Sequence, residues 1–167
     1  MITNSTRYTE DFDIYEDFNI YTESHSYNEE TGISRIVLIT DLGKVIGEAK
    51  CHPDDKDMCG MITGATIAGY RATLNYFKLC KRKYKTRLKA LDDLYYSMNQ
   101  SKKFNKNSYE NKMLLRHRQK TIAIIEEIQS EMEEIDKQLK QYIESKESFF
   151  NKIREKRKAI QKWQIIF

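Results

Sequence analysis

The chain has 167 residues, 40% of them apolar and 32% charged, with a mean hydropathy of −0.74. That balance favours long exposed helices over a large globular core, and one proline with six glycines excludes a collagen-like or proline-rich linker protein. No run of 18 apolar residues is present, so no transmembrane segment is expected. The first residues lack the basic-then-apolar layout of a secretory signal. Three cysteines suit a reducing cytoplasm better than a disulfide framework.

Charge is laid out in blocks that the formal net +4 conceals. Residues 1–33 carry eight acids against Arg7, a net −7, and residues 34–77 balance at five against five. Residues 78–120 hold fourteen Lys/Arg against three acids, a net +11. Residues 121–145 then carry a net −5 and residues 146–167 a net +5. Such a chain either neutralises itself or offers its positive middle to a polyanion.

Residues 12–22 place Phe12, Ile14, Phe18 and Ile20 at even spacing, the alternation of a strand with one buried face. Ser26–Gly32 is polar and reads as a longer loop. Arg35–Thr40 is a compact β-branched run, followed by the turn-forming Asp41-Leu42-Gly43-Lys44 and a second run, Val45–Cys51. Together these predict a hairpin within a three-stranded antiparallel sheet. A sheet of that size needs a helix across one face. Asp54, Asp55 and Asp57 stand where carboxylates complement a helix amino-terminus, and Gly60, Gly64, Ala68 and Ala72 then recur every four residues. Small side chains on one stripe let a helix backbone lie close to a sheet, which offsets the cost of glycine in a helix.

From Ile67 the apolar positions step by 3 and 4 through Tyr70, Leu74, Phe77, Lys81, Tyr84, Leu88, Leu91, Tyr95 and Met98. A polar turn at residues 99–108 follows, with Ser108 a candidate cap. The second seam runs through Thr121, Ile125, Ile128, Met132, Ile135, Leu139, Tyr142, Lys146, Phe149, Ile153, Lys156, Ile160, Trp163 and Phe167. The predicted fold is therefore α+β: a small three-stranded antiparallel sheet on a helix, continuing into a long antiparallel helical hairpin or coiled coil. In domain terms, residues 1–66 form the head and residues 67–167 the hairpin. The second helix outreaches the first, and a homo-oligomer, most simply a dimer, is expected to cover the surplus seam.

No GxSxG, HExxH, P-loop or GxGxxG motif occurs, and no catalytic residue, metal or cofactor is expected. Cys51, His52 and Cys59 with the intervening carboxylates are the nearest approach to a metal cluster, yet they lack the paired short spacings of zinc sites. Cys59 near a helix start, with His52 close in sequence, is the nearest to a nucleophile.

The basic run at residues 79–89 carries the strongest binding signal. Arg71, Lys78, Arg82, Lys85 and Lys89 fall on one helix face beside the seam, and Arg116, Arg118 and Lys120 are expected near the same end of the hairpin. Such a ridge suits phosphates or another acidic partner; the alternative is a solvated face paired with the acidic segments. A second basic cluster, at residues 152–158, precedes Trp163 and Phe167 and reads either as a fraying helix end or as a membrane-surface segment. Asp11, Asp13, Glu16 and Asp17 offer an acidic surface that can imitate a phosphate backbone toward a protein partner. Leu74, Phe77, Tyr84, Leu88, Leu91, Ile128, Met132, Ile135, Leu139, Ile153 and Ile160 are the predicted helix or oligomer seam.

Gly47-Glu48-Ala49-Lys50-Cys51-His52-Pro53-Asp54-Asp55, then Gly64, Ile67-Ala68 and Arg71-Ala72, resemble a pattern of small uncharacterised bacteriophage and prophage proteins, G-x-A-x-C-x-P-x-D followed by G-x-x-I-A-x-x-R-A. The resemblance covers about 26 residues and implies a phage setting, in which small non-enzymatic proteins bind and inhibit host defence or nucleoprotein complexes in the host cytoplasm, an anti-CRISPR-like role. Direct nucleic-acid binding and a structural coiled-coil factor are the alternatives. The strand-strand-strand-helix order also resembles a double-stranded-RNA-binding domain without its first helix. That family places a lysine cluster at the start of its last helix, where this chain reads Asp57-Met58-Cys59-Gly60-Met61.

Overall fold

A computed structural model describes residues 19–51, 61–100 and 108–164. Three strands, β1 (Ile20–Asn28), β2 (Ile33–Thr40) and β3 (Gly43–Lys50), form an antiparallel sheet in the order β1-β2-β3. Two helices follow, α1 (Met61–Asn99) and α2 (Tyr109–Gln164). The α+β architecture expected from the sequence is the one adopted.

The β2–β3 hairpin forms where the pattern placed it. Thr40 pairs with Gly43 across Asp41 and Leu42, and Gly43 has φ +105°, a conformation that a side chain would oppose. Thr40 Oγ1 donates to Gly43 O at 2.8 Å and accepts from Leu42 N at 3.1 Å, so the turn is closed by its own flanking hydroxyl. Burial then alternates along both strands. Ser34, Ile36, Leu38 and Thr40 of β2 and Val45, Gly47 and Ala49 of β3 face inward.

β1 departs from the sequence expectation. It continues through Ser26, Tyr27 and Asn28, which read as loop, and leaves only Glu29–Gly32 as the connection. Asn28 closes that turn, its Oδ1 accepting from Thr31 N at 2.9 Å and its O from Gly32 N at 2.8 Å. The physical reason is position. α1 lies over β2 and β3 and barely reaches β1, so β1 buries too little to require an apolar face. Phe12, Ile14 and Phe18 lie outside the described residues.

α1 crosses the sheet on a stripe of small residues. Ala68 and Ala72 are wholly buried, and Tyr76, Cys80 and Tyr84 continue the same stripe. A Cβ on Gly47 of β3 would stand 2.0 Å from Ala68 O and 2.3 Å from Ala72 N, which measures how closely strand and helix approach. Gly64 meets Ser34 of β2 in the same way, its notional Cβ 2.1 Å from Ser34 Oγ. That hydroxyl is buried without a hydrogen-bond partner among the described residues. Ser34→Ala is therefore expected to stabilise by about 1 kcal/mol, since it removes a buried polar atom that nothing compensates; the midpoint of urea unfolding measures it.

The turn of the hairpin is fastened to α1 by a polar contact. Tyr76 Oη donates to Asp41 Oδ1 at 2.9 Å, and Lys83 Nζ lies 3.7 Å from Asp41 Oδ2. Burial, then the bond to Asp41, raises the Tyr76 phenol far above its usual range. Burial pushes the neighbouring Cys80 thiol up from 9.0 to about 11, against the opposing pull of its hydrogen bond with Tyr76. The unfolded chain loses both protons before the folded chain does. Stability is thus fully present below about pH 9 and falls as pH rises toward 11 and beyond. Urea midpoints are expected to drop over that alkaline window, and Cys80→Ala to flatten the part due to the thiol.

Cys80 is a free buried thiol, whereas Cys51 is disulfide-bonded, which corrects the expectation of reduced cysteines there. His52, Cys59 and the aspartates between them lie outside the described residues. Among the described residues no three His, Cys, Asp or Glu side chains converge as a metal site, and no helix is long and apolar enough to cross a membrane.

α1 and α2 run antiparallel, at 39 and 56 residues about 58 and 84 Å long. Arg118 Nε contacts Asp92 Oδ1 at 2.6 Å, Lys81 Nζ donates to Gln129 Oε1, and the Tyr70 and Tyr142 rings lie 6.4 Å apart. These contacts descend α1 as they ascend α2. Met61 is therefore level with about residue 150, and the last three to four turns of α2 pass beyond α1. One buried cluster runs from Ile36, Leu38 and Val45 through the α1 stripe to Ile124 and Ile128 of α2, so sheet and hairpin share a core.

Candidate polyanion-binding ridge

Among the described residues β3 is an edge strand, and α1 covers its outward carbonyls. Pairing of β3 with β2 alternates, so every second residue of β3 turns its backbone polar groups away from the sheet. Two of those carbonyls are taken up by α1: Asn75 Nδ2 donates to Ile46 O at 2.9 Å and Arg71 Nη1 to Glu48 O at 2.6 Å. An edge satisfied in this way is closed to a further strand at those positions. The same contacts leave a shallow open groove along the α1–β3 junction, with Lys44 and Ile46 on one side and Leu74, Lys78 and Arg82 on the other.

The five basic residues singled out in α1 stand along this groove and beyond it. Arg71, Lys78, Arg82, Lys85 and Lys89 are all exposed. At 100° per residue they fall within about 60° of arc and span about 27 Å of helix. None of the five has a carboxylate within ion-pair distance among the described residues. Their hydrogen bonds are to neutral groups, Arg71 to the Glu48 carbonyl and Lys78 Nζ to Asn75 Oδ1 at 3.4 Å. Among the described residues the one carboxylate lining the groove, Glu48, is held by Arg35 at 2.6 Å.

Lys44, which the sequence reading assigned only to a turn, joins the ridge. It is exposed in β3 and lines the groove with Lys78 and Arg82. Its place follows from the hairpin register and the packing of α1, and no local pattern carries that information.

Arg116 and Arg118 do not join it. Arg118 is committed to Asp92 inside the hairpin. Arg116 is exposed but lies about 200° around α2 from the buried Leu114, on the side turned away from α1. Asp11, Asp13, Glu16 and Asp17 lie outside the described residues. Of the predicted seam, Tyr84, Ile128 and Leu139 are buried. Leu74, Phe77, Leu88, Leu91, Met132, Ile135 and Ile153 are half-buried, and Ile160 is 58% exposed. The seam reading missed Ile124, Leu114 and Phe150, which are buried because the real apolar face of α2 is wider than a strict 3-and-4 stripe.

No protein-family model matches this chain, and neither the curated proteins nor the solved structures contain a match.

Proposed function

We propose that this chain is a non-enzymatic binding protein that engages a nucleic-acid-containing complex through the Arg71–Lys89 ridge. The observation that carries the reading is the set of five cations on one rigid face with no described carboxylate to neutralise them. Lysine and arginine held in this way gain most from a phosphate backbone, which releases its condensed counterions as they dock. The phage-type pattern at residues 47–72 supports a partner inside a host cell, such as a defence or replication nucleoprotein whose action the bound protein would block.

The decisive measurement is binding of a labelled nucleic acid as a function of salt. Five phosphate contacts correspond to a slope of about −4.5 in log K against log salt, a loss of about 500-fold between 50 and 200 mM. A slope near zero, or no binding at low salt, would remove the ridge as a nucleic-acid site.

A further inference from the structure

We propose that the overhanging end of α2, residues 150–164, docks in the plane of an anionic lipid bilayer. This surface is separate from the ridge and does not depend on nucleic-acid binding. α1 begins level with about residue 150 of α2, so about 14 residues and 21 Å of helix extend past it. Among the described residues no strand packs on α2 to any extent. Phe149 is 57% exposed and Ile160 58%, with Ile153 half-buried between them. At 100° per residue these three fall within about 40° of arc, one apolar stripe where α2 leaves α1 behind.

Charge selects the occupant. Residues 151–164 carry six Lys/Arg against Glu155, a net +5. Lys152 and Lys156 border the stripe on one side and Arg157 on the other, and all three are exposed. A second copy is disfavoured, because pairing two overhangs sets +5 against +5. A phosphate backbone would satisfy the cations and leave Ile153 and Ile160 in water. A surface of anionic lipid takes both. The apolar stripe enters the boundary between headgroups and acyl chains, and the lysine and arginine stems carry their charges back to the lipid phosphates. Each basic residue near such a surface adds to the attraction. The net −5 block at residues 121–145 is repelled by the same surface, so contact is confined to the overhang.

The test uses the full chain with vesicles of phosphatidylcholine, alone or with about one third phosphatidylglycerol, at moderate ionic strength. Co-sedimentation with the anionic vesicles is expected, at least about ten-fold stronger than with the neutral ones. Trp163, the chain's single tryptophan, lies in α2, and its emission is expected to shift to the blue on binding. Ile153→Ser/Ile160→Ser is expected to weaken vesicle binding at least about ten-fold through lost apolar burial. Lys152→Gln/Lys156→Gln is expected to cost about as much through lost attraction. Arg82→Ala/Lys85→Ala/Lys89→Ala changes it by less than about two-fold, since those residues stand about 30 Å or more along α1 from Met61, several Debye lengths away. Circular dichroism verifies that the variants remain helical. No binding to anionic vesicles, equal binding to neutral ones, binding that survives either overhang variant, or an equal loss in the ridge variant would each overturn the proposal. So would a doubled mass in light scattering that Ile153→Ser/Ile160→Ser abolishes, which would make the occupant a second copy. Loss of nucleic-acid binding, and not of vesicle binding, in Lys152→Gln/Lys156→Gln would likewise overturn it.

Discussion

Gly47→Val is expected to destabilise the protein by more than about 3 kcal/mol, and in practice to yield little folded material. Valine suits strands in general, so local propensity argues for the opposite outcome. The contact is what decides. A Cβ at this position would stand 2.0 Å from the carbonyl oxygen of Ala68 and 2.8 Å from the Cα of Ala72. Both are backbone atoms of α1 and cannot rotate aside as a side chain would. Relief requires the helix to lift off the sheet, which would also open the packing of Ile36, Leu38 and Val45 against Ala68, Ala72 and Tyr76. With a total stability of about 5–15 kcal/mol for a domain, that loss is a large fraction. Gly69→Ala is the matched control. Gly69 lies in the same helix with nothing within 4 Å of its notional Cβ. It is expected to gain about 0.5–1 kcal/mol from the lower backbone entropy of alanine. Equilibrium urea unfolding of the two variants separates close packing from intrinsic propensity in one experiment.

The second large effect is functional. Arg82→Ala/Lys85→Ala/Lys89→Ala is expected to flatten the salt dependence of nucleic-acid binding, from a slope of about −4.5 to about −1.8, with a fall in affinity at low salt. The three side chains are exposed and make no ion pair with a described residue. Alanine is the strongest helix former, so the variant keeps its fold and its unfolding midpoint moves little. Arg116→Ala supplies the contrast: its side chain projects on the far side of α2 and its loss is expected to leave the slope unchanged. Equal effects from Arg116 and the ridge would mean that net charge, and not the arrayed face, drives binding. Arg118→Ala is unsuitable as a control because it also breaks the contact with Asp92.

Much of the architecture was legible because periodicity is a local property. The alternation in β2 and β3 follows from one face meeting α1, and Asp41-Leu42-Gly43 closes the hairpin within its own residues. Gly64, Ala68 and Ala72 signalled a close approach, and α1 lies against the sheet on that stripe. The five ridge cations were found for the same reason, since a single helix face is set by spacing alone. The extension of β1 through Ser26, Tyr27 and Asn28 was not legible, because a strand that α1 barely reaches writes almost no apolar pattern.

By itself, then, the sequence determined that two long helices follow a small sheet and that charge is segregated along the chain. Only the tertiary structure decided which charges are already spent and which remain available. Arg118 is taken by Asp92, Glu48 by Arg35, and Lys83 by Asp41, while Lys44 is carried from a hairpin turn to the side of Lys78 and Arg82. Pairing over a few ångströms depends on the register of strands and helices distant in sequence, and a one-dimensional pattern of charges contains no such distance.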